Sequence, residues 1–539
     1  MTAPGPGMDE GGVPGYTDAR GCKEWLGALP LTNIPQAQAQ VLESLRALNA
    51  AEFAALERLK CMELMRDKVA FLQGEQRSRY FGKTLPLSPN DSNAWATGAK
   101  LLAEMENGYR RCLADALDAE MAPHRALIAQ RVVRYVGALM LFHAIVYRRF
   151  DPAIWSRLHG QYAEAEAGGF AAERVKDSLE GDDEGASSVA EAYAQVVLIQ
   201  AAYLSEMSAA QIDFAEALIK AWLRKIRVVE RAAASAQDTL PLVVDLSASI
   251  GARPLPRAEL KDTHRVFDVE EVSKSLRRRI HALQSDEDPA RLGLPPQAAG
   301  LDLQGQLKRL HKLWCEGAPP RPPAKASDLK TAGLVFTPPE IHFFVTGGKV
   351  FEQPGRTREL TSQEKQDIEV FGRVTERTHS RMMADHNYTV ETWTVVDEMP
   401  GTWRLQRPQT ASKGVAIGRL AGVRLGDGAP FYLAVIRALV QETDGRIIAT
   451  IALFPGRPEA IAVRSGDARH RTSAQWTQGF RLPALERMNI PASLVVPGAM
   501  AVRGRGIEVW EGEPKESTVY EVLEHGADFE RVSVFQGGA

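Results

Sequence analysis

The chain has 539 residues, 65 Lys+Arg against 68 Asp+Glu for a net charge of −3, and an apolar fraction of 45%. That near-balance excludes a general polyanion binder but leaves room for one local basic site, and the length allows about three to five domains. No apolar run reaches the roughly 18 residues that a membrane helix needs, and the acidic, Gly/Pro-rich start lacks the basic and apolar regions of a signal peptide, so a cytoplasmic protein is expected.

Residues 1–30 read as a disordered N-terminus. From residue 31 to 236 the periodicity is helical, as in a helical bundle. Val41, Leu42, Leu45 and Leu48 share one face, and Phe53, Leu56 and Leu59 begin the next. The stretch from Glu52 to Tyr80 has no Pro and reads as one long helix. Ser88-Pro89-Asn90-Asp91 supplies a cap residue, a Pro at the first helical position and an acid three residues after the cap. Further helices are expected through Val132–His143, from about Val189 to Met207 and from Ala209 to Ala236. Residues 237–332 read as a linker with short helices. The segment Leu240–Leu260 contains Pro241, Pro254 and Pro256, and Ala318-Pro-Pro-Arg-Pro-Pro-Ala324 is a polyproline-type spacer.

Beyond the spacer the periodicity changes to alternation. Ile341–Val345, Thr392–Val396, Trp403–Leu405, Phe431–Val440, Arg446–Leu453 and Ala460–Val463 have strand character and are separated by Gly, Asp and Pro turns. Thr361-Ser-Gln-Glu364 is a capping box, and Ile368, Phe371, Val374, Thr378 and Met382 follow at helical spacing. Residues 333–465 therefore read as a small antiparallel barrel with one preceding helix. A second β-rich module covers 466–539, with strands at Ala492–Val496, Gly506–Trp510, Ser517–Leu523 and Phe529–Phe535.

Catalytic and metal motifs are missing. Gly82-Lys83-Thr84 lacks the earlier Gly of a phosphate loop, because position 77 is Arg77. There is no H-E-x-x-H and no G-x-S-x-G. Cys22, Cys61, Cys112 and Cys315 have no metal or redox spacing. His379 and His386 have no convincing ligand set around them. The run Arg277-Arg278-Arg279 reads as a solvated helix face, and nucleic acid is a disfavoured partner. A non-enzyme without resident metal or cofactor is expected.

One motif points to a ligand. Arg373-Val-Thr-Glu-Arg377-Thr-His-Ser-Arg381 holds two overlapping R-x-x-x-R patterns, and Asp397-Glu-Met399-Pro-Gly-Thr402 follows about twenty residues later. Ile417-Gly418 and Arg437 continue the order. This series resembles the PilZ domain, the small barrel that binds cyclic di-GMP, whose signature is R-x-x-x-R and then [D/N]-x-S-x-x-G. The resemblance implies ligand contacts from Arg373, Arg377, Arg381, Asp397 and Met399. Arginine suits this ligand because its planar fork meets phosphate oxygens or the guanine O6/N7 edge. Met399 stands where Ser is expected and Thr402 where Gly is expected. An alternative register uses Gln409, Ala411 and Gly414.

The sequence thus predicts an α+β multidomain protein: an N-terminal all-α helical bundle, a Pro-rich linker, a PilZ-like antiparallel β-barrel and a second small β-rich module. The resemblance implies a cyclic di-GMP receptor that relays ligand binding to a protein partner, with the helical domain as the protein-binding or self-association surface. The alternative is a degenerate PilZ-like adaptor that binds proteins only.

Overall fold

The structure is a computed structural model and describes residues 14–114, 120–179, 185–230, 234–235, 237–317, 330–355, 362–373, 375, 388–426, 428–466 and 475–536. The chain divides into two compact units, residues 1–83 with 87–322, and residues 84–86 with 323–539. The division falls inside the Pro-rich spacer.

The first unit is mainly helical. Its helices are α1 (Ala19–Gly27), α2 (Ile34–Ala50), α3 (Ala55–Tyr80), α4 (Pro89–Ala114), α5 (Arg125–Ala144), α6 (Ala153–Ala167), α7 (Val189–Ala201) and α8 (Ala209–Trp222). Their ends follow local chemistry. The Asn33 side chain caps α2, and Ser188 with Glu191 and Ser208 with Gln211 form capping boxes on α7 and α8. The Ser88 hydroxyl accepts from the Asp91 N–H at the start of α4, as its sequence predicts. Leu45, Met65, Leu72, Met105, Val133 and Val197 fall in one core and are almost wholly excluded from solvent.

Three sequence expectations change here. First, residues 14–30 are folded: Asp18 caps α1, Tyr16 bonds Ser44 at 2.9 Å, and Cys22 and Leu26 enter the core. The flanking Gly and Pro residues hide this short amphipathic turn. Second, the last helix stops at Trp222, because Arg227–Glu230 is strand β3. Third, residues 237–317 of the supposed linker are structured. A two-residue ribbon, β1 (Val175–Lys176) with β2 (Ala186–Ser187), precedes it. Then β4 (Thr239–Asp245), β5 (Arg253–Pro256) and β6 (His264–Asp268) join β3 in an antiparallel sheet ordered β3-β6-β4-β5. Its prolines are tolerated for a reason: Pro241 lies where the β4–β5 register shifts, and Pro254 and Pro256 lie on an edge strand. Helices α9 (Glu270–Gln284) and α10 (Leu303–Cys315) then pack Leu276, Leu307, Leu310 and Trp314 into the helical core. Arg279, read as solvated, is buried, bonds the Leu292 carbonyl and lies over Trp222.

The second unit contains two closed six-stranded barrels. The first is built from β7 (Thr331–Val335), β8 (Glu391–Met399), β9 (Thr402–Gln406), β10 (Leu420–Leu425), β11 (Tyr432–Gln441) and β12 (Ile447–Leu453), closing in the order β10-β11-β12-β9-β8-β7. The second uses β13 (Glu459–Ser465), β14 (Thr477–Leu482), β15 (Ser493–Val496), β16 (Gly506–Trp510), β17 (Pro514–His525) and β18 (Glu530–Gln536). The Ala460–Val463 strand, expected in the first barrel, pairs with β14 and β16 and belongs to the second. Residues 341–345, expected as a strand, form part of helix α11 (Pro338–Val345). Thr337 caps it, prolines follow the cap, and Glu340 sits at the third helical position. That cap outweighs the β-prone run that follows. A helix α12 (Ser362–Phe371) lies between α11 and β8. Val335, Ile341, Leu433, Phe480, Val495 and Phe529 form one core shared by both barrels and α11.

Candidate functional site

The first barrel presents the expected acid on a hairpin. Pro400 and Gly401 join β8 to β9, with Pro fixing φ at the first turn position and Gly401 at φ +73° at the second. Asp397 pairs with Arg404 just after a bulge, and Met399 pairs with Thr402. Both residues are half-buried. The signature's Ser and Gly positions therefore face each other as ladder residues beside the turn. Met399 brings no hydroxyl, and Thr402 places a side chain where open backbone is required.

Helix α12 ends at Phe371, before Arg373. Gly372 adopts φ +70° and donates to the Ile368 carbonyl. The buried Asp367 accepts from both the N–H and the hydroxyl of Thr375, at 2.9 and 2.7 Å. The expected continuous helix through Met382 is thus interrupted at Gly372. Arg373 is exposed and makes no ion pair among the described residues. Arg377 and Arg381 lie outside the described residues, as do His379 and His386. The structure brings Asp397 and Met399 together on one hairpin, and Arg373 is the one stripe arginine among the described residues.

The later positions of the resemblance hold the two barrels together. The Gly418 carbonyl accepts from Ala527 N–H at 2.7 Å, and at φ +81° a Cβ there would stand 3.3 Å from that nitrogen. Arg437 donates to Glu524 at 2.6 Å. Asp528 Oδ1 accepts from the Leu420 N–H. The alternative register is also absorbed structurally. Arg407 bonds the Ala411 and Lys413 carbonyls, and Glu391 accepts from the N–H groups of Ser412 and Lys413.

Reading 240–260 as a linker passes over a second copy of the signature. Arg227-Val-Val-Glu-Arg231 is an R-x-x-x-R pattern, and Asp245-Leu-Ser247 follows it, with Gly251 one residue later than the pattern asks. The sheet brings Glu230 and Asp245 to one end and leaves Arg227 at the other, opposite Asp268. Glu230 on β3 and Val244 on β4 both oppose Arg265 on β6, and Asp245 opposes His264. Arg227 is exposed and paired with Asp268. Arg231 lies outside the described residues. Burial works against ionisation of Asp245, but hydrogen bonds from the Ser247 hydroxyl at 2.6 Å and its N–H at 3.0 Å hold the carboxyl down to about 2. His264 accepts from the Lys261 N–H through Nδ1, and burial lowers its pKa. Gly251 serves packing: a Cβ would meet Gln200 Oε1 at 2.6 Å and Trp155 Cζ2 at 2.8 Å. A surface concavity of about 980 Å³ opens here, lined by Glu230, Asp238, Arg257, Leu260, Asp262 and Arg265. Among the described lining residues three carboxylates outnumber two guanidiniums, so an anion there needs a further cation.

Among the described residues no helix is long and apolar enough to cross a membrane, and no cluster of three His, Cys, Asp or Glu could hold a metal.

Residues 20–233 match the family described as the N-terminal domain of the cyclic-di-GMP receptor FimW. The chain is also 19% identical over 530 residues to the Cyclic-di-GMP receptor FimW of Pseudomonas aeruginosa (strain ATCC 15692 / PAO1), a match covering 90% of this chain and 85% of that protein. No solved structure matches the chain. These similarities support the resemblance to a cyclic-di-GMP receptor family and do not name the PilZ domain.

Proposed function

We propose that the chain is a cytoplasmic, non-catalytic cyclic di-GMP receptor that passes ligand binding to a protein partner. The observation that carries this reading is similarity to a cyclic-di-GMP receptor along nine-tenths of the chain, with the N-terminal family matched over 20–233. The ligand has two phosphates and two guanines. An R-x-x-x-R pair supplies forked donors for phosphate oxygens and flat guanidinium faces for guanine. A short acid followed by a serine suits the guanine edge.

Of the two signature copies, Arg227–Arg231 with Asp245–Ser247 is favoured. It keeps the serine, and β3 and β4 run toward the same end of one sheet, where Glu230 and Asp245 lie. Arg373–Arg381 with Asp397 loses the serine to Met399. The adaptor reading, in which no nucleotide binds, has specific observations behind it as well. Gly251, Gly418 and Arg437 are all occupied by packing or ion pairing. Isothermal titration of the full chain with cyclic di-GMP separates these readings. Saturable heat at micromolar ligand is expected of a receptor, and silence under those conditions with an intact fold supports the adaptor.

A further inference from the structure

A cavity of about 300 Å³ lies inside the helical array, bounded by α3, α4, α5, α7 and α8. Much of its wall is apolar, including Val69, Leu102, Leu141, Phe142, Val196 and Ile199. Arg66 and Arg134 also line it, and each is more than nine-tenths buried. Burying guanidinium groups is costly unless each donor finds an acceptor. Both share one carboxylate: Asp177 Oδ1 accepts from Arg66 Nη2 at 2.8 Å, and Asp177 Oδ2 from Arg134 Nη2 at 3.1 Å. Their neighbour Arg131 takes Glu63 in a two-pronged pair at 2.8 and 2.9 Å. Among the described residues three guanidiniums thus meet two carboxylates, a net of one positive charge at this end of the cavity. The Nε–H of Arg66, the Nε–H of Arg134 and the side-chain oxygen of Gln73, also on the wall, have no hydrogen-bond partner among the described residues.

Orphaned buried donors beside an apolar space are what a ligand head group satisfies. We propose that this cavity binds a small amphipathic monocarboxylate, its carboxylate against Arg66 and Arg134 and its apolar body along Leu141, Phe142, Val196 and Ile199. The net charge of one favours a single carboxylate. A cyclic dinucleotide would bring two phosphates to the same place. At about 30 Å³ per water-sized group the space suits a body of roughly ten non-hydrogen atoms. The way in runs past Arg77 and Glu216, partly exposed on the same wall, where Arg77 pairs with Asp213. This inference is independent of the nucleotide-binding reading.

The test is isothermal titration of the full chain with decanoate and 1-naphthoate, and with decan-1-ol as the uncharged control. Binding by either carboxylate is expected to be about tenfold or more tighter than by the alcohol, the worth of one charge-assisted hydrogen bond. Ala138→Leu, which fills the cavity with apolar volume, should abolish it, and Arg134→Gln should weaken it about tenfold or more. Should Arg134→Gln fail to fold, the Ala138→Leu variant and the alcohol control still decide the matter. No saturable binding by either carboxylate, equal affinity for decan-1-ol, or undiminished binding in folded Ala138→Leu would overturn the proposal.

Discussion

Replacing Asp177 by Asn probes what holds the first unit together. The carboxylate is fully buried and accepts from Arg66, Arg134, Gln130 at 2.7 Å and Ser187 at 3.1 Å, with Arg131 at 3.8 Å. Burial alone would raise its pKa, but the guanidiniums of Arg134, Arg66 and Arg131 hold it well below the ordinary carboxylate range. Asn keeps the volume but removes the negative charge, and its NH₂ turns donors toward donors. Removing one partner of a buried ion pair costs about 3–5 kcal/mol. At about 2–4 °C per kcal/mol for a large domain, the first unit should melt roughly 6–20 °C lower. The wild type should also lose stability as pH falls below the unfolded-state carboxylate value of about 3.9, because there the unfolded chain takes up a proton that the folded Asp177 resists. Above that value this contribution is fully present, and Asp177→Asn should lack this part of the acid dependence. Scanning calorimetry of both full-length proteins from pH 7 to pH 3 measures both effects. A variant within about 1 kcal/mol of wild type at pH 7 would refute the account of the cluster.

Leu310→Ala should cost the first unit about 2–5 kcal/mol, since this side chain of α10 is fully buried in the helical core; an unchanged melt would return 303–315 to the status of a linker. Gly401→Ala should cost about 1–2 kcal/mol through its left-handed backbone alone, as no atom lies within 4 Å of the added Cβ, and a denaturant melt of the second unit checks it. Met399→Ser should leave nucleotide affinity unchanged if the 227–251 copy of the signature is the one used, which titration of the variant reads directly.

Much of the architecture is legible in the residues. The helices announce themselves through caps such as Ser88 and Ser188 and through long stretches free of Pro, and the barrel strands through β-branched alternation between turns. The sheet of β3–β6 is concealed because its prolines look like linker prolines. They are harmless only at an edge strand and a register shift, features that depend on which strands pair. Helix α11 is concealed because Ile341-His-Phe-Phe-Val345 has high strand propensity, while the Thr337-Pro-Pro-Glu340 cap decides the conformation. At the site, the helical spacing of Val374, Thr378 and Met382 suggests continuity that Gly372 interrupts. Gly418 and Arg437 fit the resemblance, yet both join the two barrels. The Asp245-Leu-Ser247 match is visible in the sequence, but its relation to β3 is set by pairing through β6.

The most direct measurement is cyclic di-GMP titration calorimetry on the full chain and on Arg227→Ala, Asp245→Ala and Arg377→Ala, each checked for an unchanged melt. A charge-assisted contact of about 1.5–3 kcal/mol corresponds to a loss of about tenfold to 150-fold in affinity. The account predicts saturable binding by the wild type, that loss in Arg227→Ala and Asp245→Ala, and little change in Arg377→Ala. Loss confined to Arg377→Ala would move the site to the first barrel, and no binding by the folded wild type would contradict the receptor reading itself.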